Sequence, residues 1–179
     1  MTTIRDALSA DADACRAIYA HHVLHGVGTF EEVPPTTEEM VRRIVDVTAR
    51  GLPWLVAQDA GGVRGFAYAA PFRLRSAYRY TVEDSIYLAA DATGQGIGRR
   101  LLGELIARCE AIGLRQMVAR IGDSANAASI GVHRACGFEH RGTTPALGFK
   151  HGRFVDVVWM QRALGDGAET VPDGGGLAL

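Results

Sequence analysis

The sequence predicts a single α/β domain, a mixed β-sheet with helices on both faces. Three observations predict it. Short runs rich in β-branched and aromatic residues alternate along the chain with longer segments whose apolar residues recur at helical spacing. The segment order is strand, two helices, three strands, helix, strand, helix, two strands, with no internal repeat. Of 179 residues 47% are apolar and the net charge is −1, which suits one sizeable core. That balance offers no electrostatic basis for a nucleic-acid or membrane partner.

Thr3–Asp6 is a short strand, and Ser9 is expected to cap a helix from about Ala10 to Leu24. A loop with Gly26, Gly28, Thr29 and Phe30 follows, ending at Pro34-Pro35. Thr36-x-x-Glu39 has capping-box spacing; Met40, Ile44 and Val47 then recur helically until Gly51. Trp54–Gln58 and Val63–Ala70 are strands joined at Ala60-Gly61-Gly62, a hairpin. Pro71 to Tyr78 is a basic loop, with Arg73, Arg75 and Arg79 around it.

Tyr80–Leu88 is the next strand. The turn Gly94-Gln95-Gly96-Ile97-Gly98 leads into a helix whose buried stripe includes Leu101, Leu105, Ile106 and Cys109, ended by Gly113. Gln116–Ile121 is a strand and Asn126–Ala135 a helix stopped by Gly137; Phe138–Thr143 and Phe154–Gln161 are two further strands. After Gly165, the stretch with Pro172 and Gly174-Gly175-Gly176 has too little apolar content to pack. The domain is therefore expected over 1–164, with 165–179 a mobile tail. The N-terminus has no basic region followed by an apolar run, and no stretch reaches transmembrane length, so a cytoplasmic protein is expected. Cys15, Cys109 and Cys136 are odd in number and widely spaced. They are expected as buried, reduced thiols.

Three glycines in five residues before a helix N-terminus let the backbone approach a ligand and aim several N–H groups at one point, which suits a pyrophosphate. A bare tight turn between strand and helix would use glycine equally well. Three places after Gly96 stands Arg99, and three after Gly98 stands Leu101, so the dinucleotide fingerprint G-x-G-x-x-G is absent. No Gly-Lys-Ser/Thr follows, which excludes a P-loop.

The turn resembles the acetyl-CoA loop of the GNAT acetyltransferases, Gln/Arg-x-x-Gly-x-Gly/Ala. Thr93 to Gly98 matches it except at the first position, where Thr93 stands for the long polar residue. The resemblance extends to Thr81-Val82-Glu83-Asp84-Ser85-Ile86-Tyr87, to Gly131–Phe138, and to Gly148-Phe149-Lys150-His151-Gly152-Arg153-Phe154. Over about residues 3–162 the chain resembles the phosphinothricin and methionine-sulfone/sulfoximine N-acetyltransferase branch. That resemblance implies a GNAT fold, acetyl-CoA as donor, a small amino acid or analogue as acceptor, no metal, and a homodimer.

It also implies roles. The cofactor pyrophosphate would lie on Gly94, Gln95, Gly96, Ile97, Gly98 and Arg99 beside Thr93, and the pantetheine arm along Ile86, Tyr87 and Leu88, near Asn126 and Ser129. Glu83, mid-strand, shares a face with Ser85 and Tyr87, while Val82, Asp84, Ile86 and Leu88 share the other. A carboxylate in a partly dry cleft can take the proton that an attacking ammonium must lose. The resemblance assigns Glu83 that role and a place at the substrate; a salt bridge to Arg73 or Arg75 is the plainer reading. Arg73 and Arg75 would hold an acceptor carboxylate, or line a basic surface loop. Phe30 would close over the acceptor side chain, or belong to the core. His133 is the candidate acid for the leaving thiolate, with a structural hydrogen bond as its alternative. His21 and His25, spaced i, i+4 without a third ligand, read as a structural or exposed pair. The rival readings are acetylation of another amine (a protein N-terminus, a polyamine or an aminoglycoside) and a non-catalytic acyl-CoA-binding module.

Overall fold

A computed structural model of the chain describes residues 2–178. Its elements are β1 (Thr3–Asp6), α1 (Ala12–His25), α2 (Thr37–Ala49), β2 (Trp54–Asp59), β3 (Gly62–Pro71), β4 (Thr81–Leu88), α3 (Ile97–Ala111), β5 (Gln116–Gly122), α4 (Ala127–Ala135), β6 (Glu139–Lys150) and β7 (Arg153–Ala163). The strands form one sheet in the order β1-β2-β3-β4-β5-β7-β6. Every neighbouring pair is antiparallel except β4 with β5.

Helices cover both faces, as expected. The Tyr19 ring of α1 meets Tyr87 edge-on at 4.8 Å. On the other face, a Cβ at Gly98 of α3 would lie 3.4 Å from Leu88 and 3.7 Å from Ile86. Adjacent residues of β4 thus point into different layers. The core between α1, α2 and the sheet holds Ile18, Val23, Met40, Ile44 and Trp54; Leu101, Leu102, Leu105 and Cys109 of α3 fill the opposite layer. The Thr36 hydroxyl accepts the Glu39 N–H at 3.2 Å, capping α2 at the position its spacing predicts.

Two boundaries differ from expectation. Ser9 begins a short 3-10 turn and caps nothing; α1 starts two residues later. The Asp11 carboxylate closes that 3-10 turn, accepting the Leu8 N–H at 2.8 Å while pairing with Arg5 at 2.7 Å. Beyond Thr143 the chain continues as strand to Lys150 with a register break between Thr144 and Gly148. The edge position of β6 allows Pro145 to fall in that break without costing a ladder bond.

Burial pushes the Cys15 and Cys109 thiols up to about 12, which makes them unreactive. Cys136 is only half-buried. Within 165–178, the Leu177 N–H bonds the Arg79 carbonyl at 2.8 Å and its side chain packs against the core.

Candidate active site

β4 and β5 are paired through Thr81–Gln116, Val82–Met117 and Glu83–Val118 alone. Beyond these, β4 stays with β3 to Leu88 and β5 stays with β7 to Gly122. The two parallel strands therefore part and open a wedge in the middle of the sheet. Ala89 N–H bonds Arg64 O across β3, so antiparallel alternation turns the main chain of Ser85 and Tyr87 toward β3. The N–H and C=O groups of Asp84, Ile86 and Leu88 face the wedge. Tyr87 accordingly offers the cleft its ring and not its backbone. The Leu88 carbonyl accepts from His22 Nε2 at 2.8 Å. Burial lowers the pKa of His22, which keeps the imidazole neutral. The Leu88 N–H is left directed into the wedge.

A cleft of about 790 Å³ occupies this region, lined by residues of α1, the 28–31 loop, β4, β5 and α4. The glycine turn closes one end. Gly94 and Gly96 have φ of +73° and +75°, and a Cβ on either would meet nothing within 4 Å. Glycine there answers the backbone conformation and leaves an open approach. Gly96 caps α3, whose first N–H groups, from Ile97, Gly98 and Arg99, have no helical partner and carry the positive end of the dipole. The Thr93 hydroxyl donates to Ala90 O at 3.2 Å and the Gln95 amide to Asp91 O at 2.9 Å, so both side chains brace the turn. Ile97 buries its side chain in the core and offers a ligand only its N–H. These groups fit a pyrophosphate. Gly96→Val should weaken CoA binding at least about tenfold, since valine resists positive φ and screens the N–H groups. Calorimetry with CoA, NADH and ATP checks this; unchanged CoA affinity in a folded variant counts against the cradle.

Glu83 stands where the strands part, its side chain 16% exposed. Its Oε1 accepts from Arg120 Nε at 2.7 Å and Nη2 at 2.6 Å. Burial raises the Glu83 pKa, and Arg120 only partly offsets this. The expected partners of that ion pair, Arg73 and Arg75, do not make it. Arg73 lines the cleft, with its guanidinium over the Phe72 ring and Nη1 bonded to Phe72 O at 2.8 Å. Arg75 is exposed before the 3-10 turn Ser76–Tyr78 and lies outside the cleft lining. Phe30 lines the cleft and is 41% exposed, not core.

On the opposite face of β4, His133 is 2% exposed. Nε2 is 3.0 Å from Asp84 Oδ2, and Nδ1 is 2.8 Å from the Ser129 carbonyl. A carboxylate and a carbonyl on its two sides call for a doubly protonated ring. Burial opposes the charge, yet Asp84 outweighs it, and the His133 pKa is raised. Asn126 caps α4, its Oδ1 accepting the Ser129 N–H at 3.1 Å. The His21 and His25 rings on α1 meet at a tilt, 5.0 Å apart. Among the described residues no group of three His, Cys, Asp or Glu could hold a metal.

Sequence reasoning missed Arg120, Asp84 and His22. Each carried a signal. Arg120 is a charge inside the run Met117–Ile121, and Asp84 a carboxylate on a face otherwise made of Val82, Ile86 and Leu88. His22 lies one residue from the pair that drew attention.

Residues 17–138 match the family described as Acetyltransferase (GNAT) family. The chain is 53% identical over 171 residues to a phosphinothricin N-acetyltransferase of Alcaligenes faecalis, covering 96% of this chain and 87% of that protein. It is 42% identical over 160 residues to an L-methionine sulfoximine/L-methionine sulfone acetyltransferase of Pseudomonas aeruginosa, covering 89% and 92%. A crystal structure of a GNAT superfamily phosphinothricin acetyltransferase from Sinorhizobium meliloti in complex with acetyl-CoA superposes with a TM-score of 0.94. It is 51% identical and covers 98% of this chain and 95% of that one.

Proposed function

The chain belongs to the GNAT acetyltransferase family, and on that premise we propose that it moves an acetyl group from acetyl-CoA to the α-amino group of a small amino acid or analogue. The observation that carries this reading is the wedge between β4 and β5. Its main-chain groups, unpaired with β5, adjoin the Gly94–Gly98 cradle on one side and a half-buried carboxylate, Glu83, on the other. The names of the relatives supply the acceptor class, phosphinothricin and methionine sulfone or sulfoximine.

Acetyl-CoA, when bound, supplies an activated thioester. The cradle N–H groups and the N-terminus of α3 would hold its pyrophosphate. Asp84, Ile86 and Leu88 present strand edges for an extended amide-bearing arm, near Asn126 and Ser129. Glu83 takes a proton from the acceptor ammonium, directly or through a water, and the freed amine attacks the acetyl carbonyl. The Leu88 N–H stabilises the negative charge that develops on the carbonyl oxygen, and His22 fixes that peptide by holding its carbonyl. The C–S bond breaks, the thiolate departs, and the new amide nitrogen gives up its second proton to solvent. A thiol of ordinary acidity can leave as the anion and collect its proton from water. That suits the position of His133, whose two ring nitrogens are already engaged. We assign His133 the task of tying α4 to β4 in the wall of the cleft, which it and Asp84 help to line.

Because Arg73 lines the cleft and Arg75 does not, Arg73 is our candidate to grip an acceptor carboxylate. Blocking that carboxylate as an amide should therefore cost about 2–4 kcal/mol in kcat/KM. Arg73→Ala should erase most of the preference and Arg75→Ala little of it. Equal acetylation of amino acids and their amides by the wild type would remove Arg73 from this role. A thiol-release assay with acetyl-CoA across amino acids, methionine sulfone, methionine sulfoximine, phosphinothricin and polyamines tests the function itself. A preference for polyamines would overturn the acceptor class.

We further propose a homodimer. β6 is a twelve-residue edge strand, and Phe149 near its end and Phe154 on β7 are 60% and 66% exposed with rings meeting edge-on at 5.2 Å. An uncovered strand edge ending in two exposed aromatic rings favours pairing with a second copy. Two buried, unpaired thiols suit the reducing cytoplasm.

A further inference from the structure

Lys150-His151-Gly152 stands at the tip of the β6–β7 hairpin. His151 and Gly152 have φ of +51° and +73°, and Lys150 pairs with Arg153 across them. Two successive positive φ values make the tight turn that matches strand twist. The tip lies against the loop of residues 26–31. Lys150 is 1% exposed, and its ammonium donates to the Thr29 carbonyl at 2.7 Å. His151 Nε2 donates to the Gly26 carbonyl at 3.2 Å. From above, the Tyr19 hydroxyl holds the Thr29 hydroxyl at 2.7 Å.

Two glycines make the floor beneath Phe30. A Cβ on Gly148 would sit 2.8 Å from Cδ2 of the Phe30 ring and still closer to two other ring carbons. A Cβ on Gly122 would collide with the Val27 carbonyl oxygen and lie 3.3 Å from the same ring. Neither glycine is at positive φ, so close approach of the loop, not backbone conformation, requires glycine there. Desolvating a lysine ammonium is unfavourable. Lys150 accepts that burden to seize a carbonyl in the loop that carries Phe30.

We propose that the hairpin tip is a clamp that determines acceptor specificity: Gly148 and Gly122 set the height of the Phe30 ring in the cleft, and Lys150 latches the loop in place. The proposal rests on the reading that Phe30 packs on the acceptor side chain. Gly148→Ala must push the ring toward the cleft by about the width of a methyl group. The kcat/KM ratio of methionine sulfone to alanine should then fall roughly tenfold, the scale on which one carbon is discriminated in an apolar pocket. Acetyl-CoA affinity by calorimetry should stay within about twofold, because the cradle lies on other elements. Adding Phe30→Leu should restore the ratio by vacating the space that alanine takes. Lys150→Met keeps the stem and removes the latch, so backbone amides of residues 27–31 should exchange with deuterium about tenfold faster in the apo protein.

A folded Gly148→Ala protein with a ratio within about twofold of wild type overturns the specificity role. Unchanged exchange in Lys150→Met overturns the latch, and this readout needs no turnover. If the wild type acetylates no amino acid, the functional reading fails while the exchange result still judges the clamp. If Gly148→Ala does not fold, the ratio is read on Lys150→Met, where an unchanged ratio overturns the proposal.

Discussion

Glu83→Gln should lower kcat by roughly 10²–10⁴ and leave acetyl-CoA affinity within about twofold. Glutamine keeps the shape and an oxygen that can still accept from Arg120, so the ion-pair geometry at 2.6–2.7 Å has a neutral counterpart and the fold should survive. What the variant loses is the ability to take a proton. The pH profile carries the sharper information. Burial raises the Glu83 pKa and Arg120 draws it back, with the rise prevailing. Only the ionised carboxylate can act as base, so the wild-type rate should climb as pH rises through that raised value. In Glu83→Gln this inflection should vanish, and the residual rate should climb only where the amine loses its proton unaided. If Glu83 merely anchors Arg120, the variant should instead shift the melting temperature or acceptor KM and keep the profile. Rates against pH for both proteins, with circular dichroism to confirm folding, separate these outcomes. A folded variant with wild-type kcat removes Glu83 from the mechanism.

What could be read from the sequence divides along a physical line. The donor side of the site is built from main chain within one stretch, Thr93 to Arg99, and a local pattern of glycines before a helix reveals it. The boundaries set by Thr36, Gly51 and Gly113 are local in the same sense. The acceptor side is built from side chains brought together by the sheet. Glu83 and Arg120 are 37 residues apart, Asp84 and His133 49, His22 and Leu88 66, and Thr29 and Lys150 121. No periodicity encodes such pairs, because they follow from how β4 lies between β3 and β5 and where α1 crosses it. His22 illustrates the point. Spacing on the helix drew attention to His21 and His25, but the packing of α1 against β4 decides which imidazole reaches the cleft. The length of β6 was hidden for another reason: Gly142, Pro145 and Gly148 look like strand breakers, and an edge position with two register breaks, at His140/Gly142 and Thr144/Gly148, accommodates all three.

Asp84→Ala should destabilise the protein by about 3–5 kcal/mol at pH 6, as removing one member of a buried charged pair does. For a domain of this size that is a fall in Tm of roughly 6–20 °C. The pair is buried on both sides, with side chains 3% and 1% exposed, and Asp84 Oδ1 has no hydrogen-bond partner among the described residues. The sign of the pH dependence follows from His133. Burial opposes its charge and Asp84 outweighs burial, so its folded pKa lies above the ordinary histidine value. A raised folded pKa contributes stability that is fully present below the unfolded value, about 6.5, and is lost as pH rises through the folded one. The difference in Tm between wild type and Asp84→Ala should therefore be largest near pH 6 and shrink at higher pH. His22, with its pKa lowered by burial, works in the other direction below its ordinary value. Its contribution is common to both proteins and cancels in the difference. The double variant Asp84→Ala with His133→Phe leaves no buried imidazole without its carboxylate and should be more stable than Asp84→Ala alone. Its turnover then decides between the two roles of the histidine. Activity near that of the wild type fits a residue that ties α4 to β4, whereas a folded double variant slowed by 10² or more would make His133 the proton donor to the leaving thiolate.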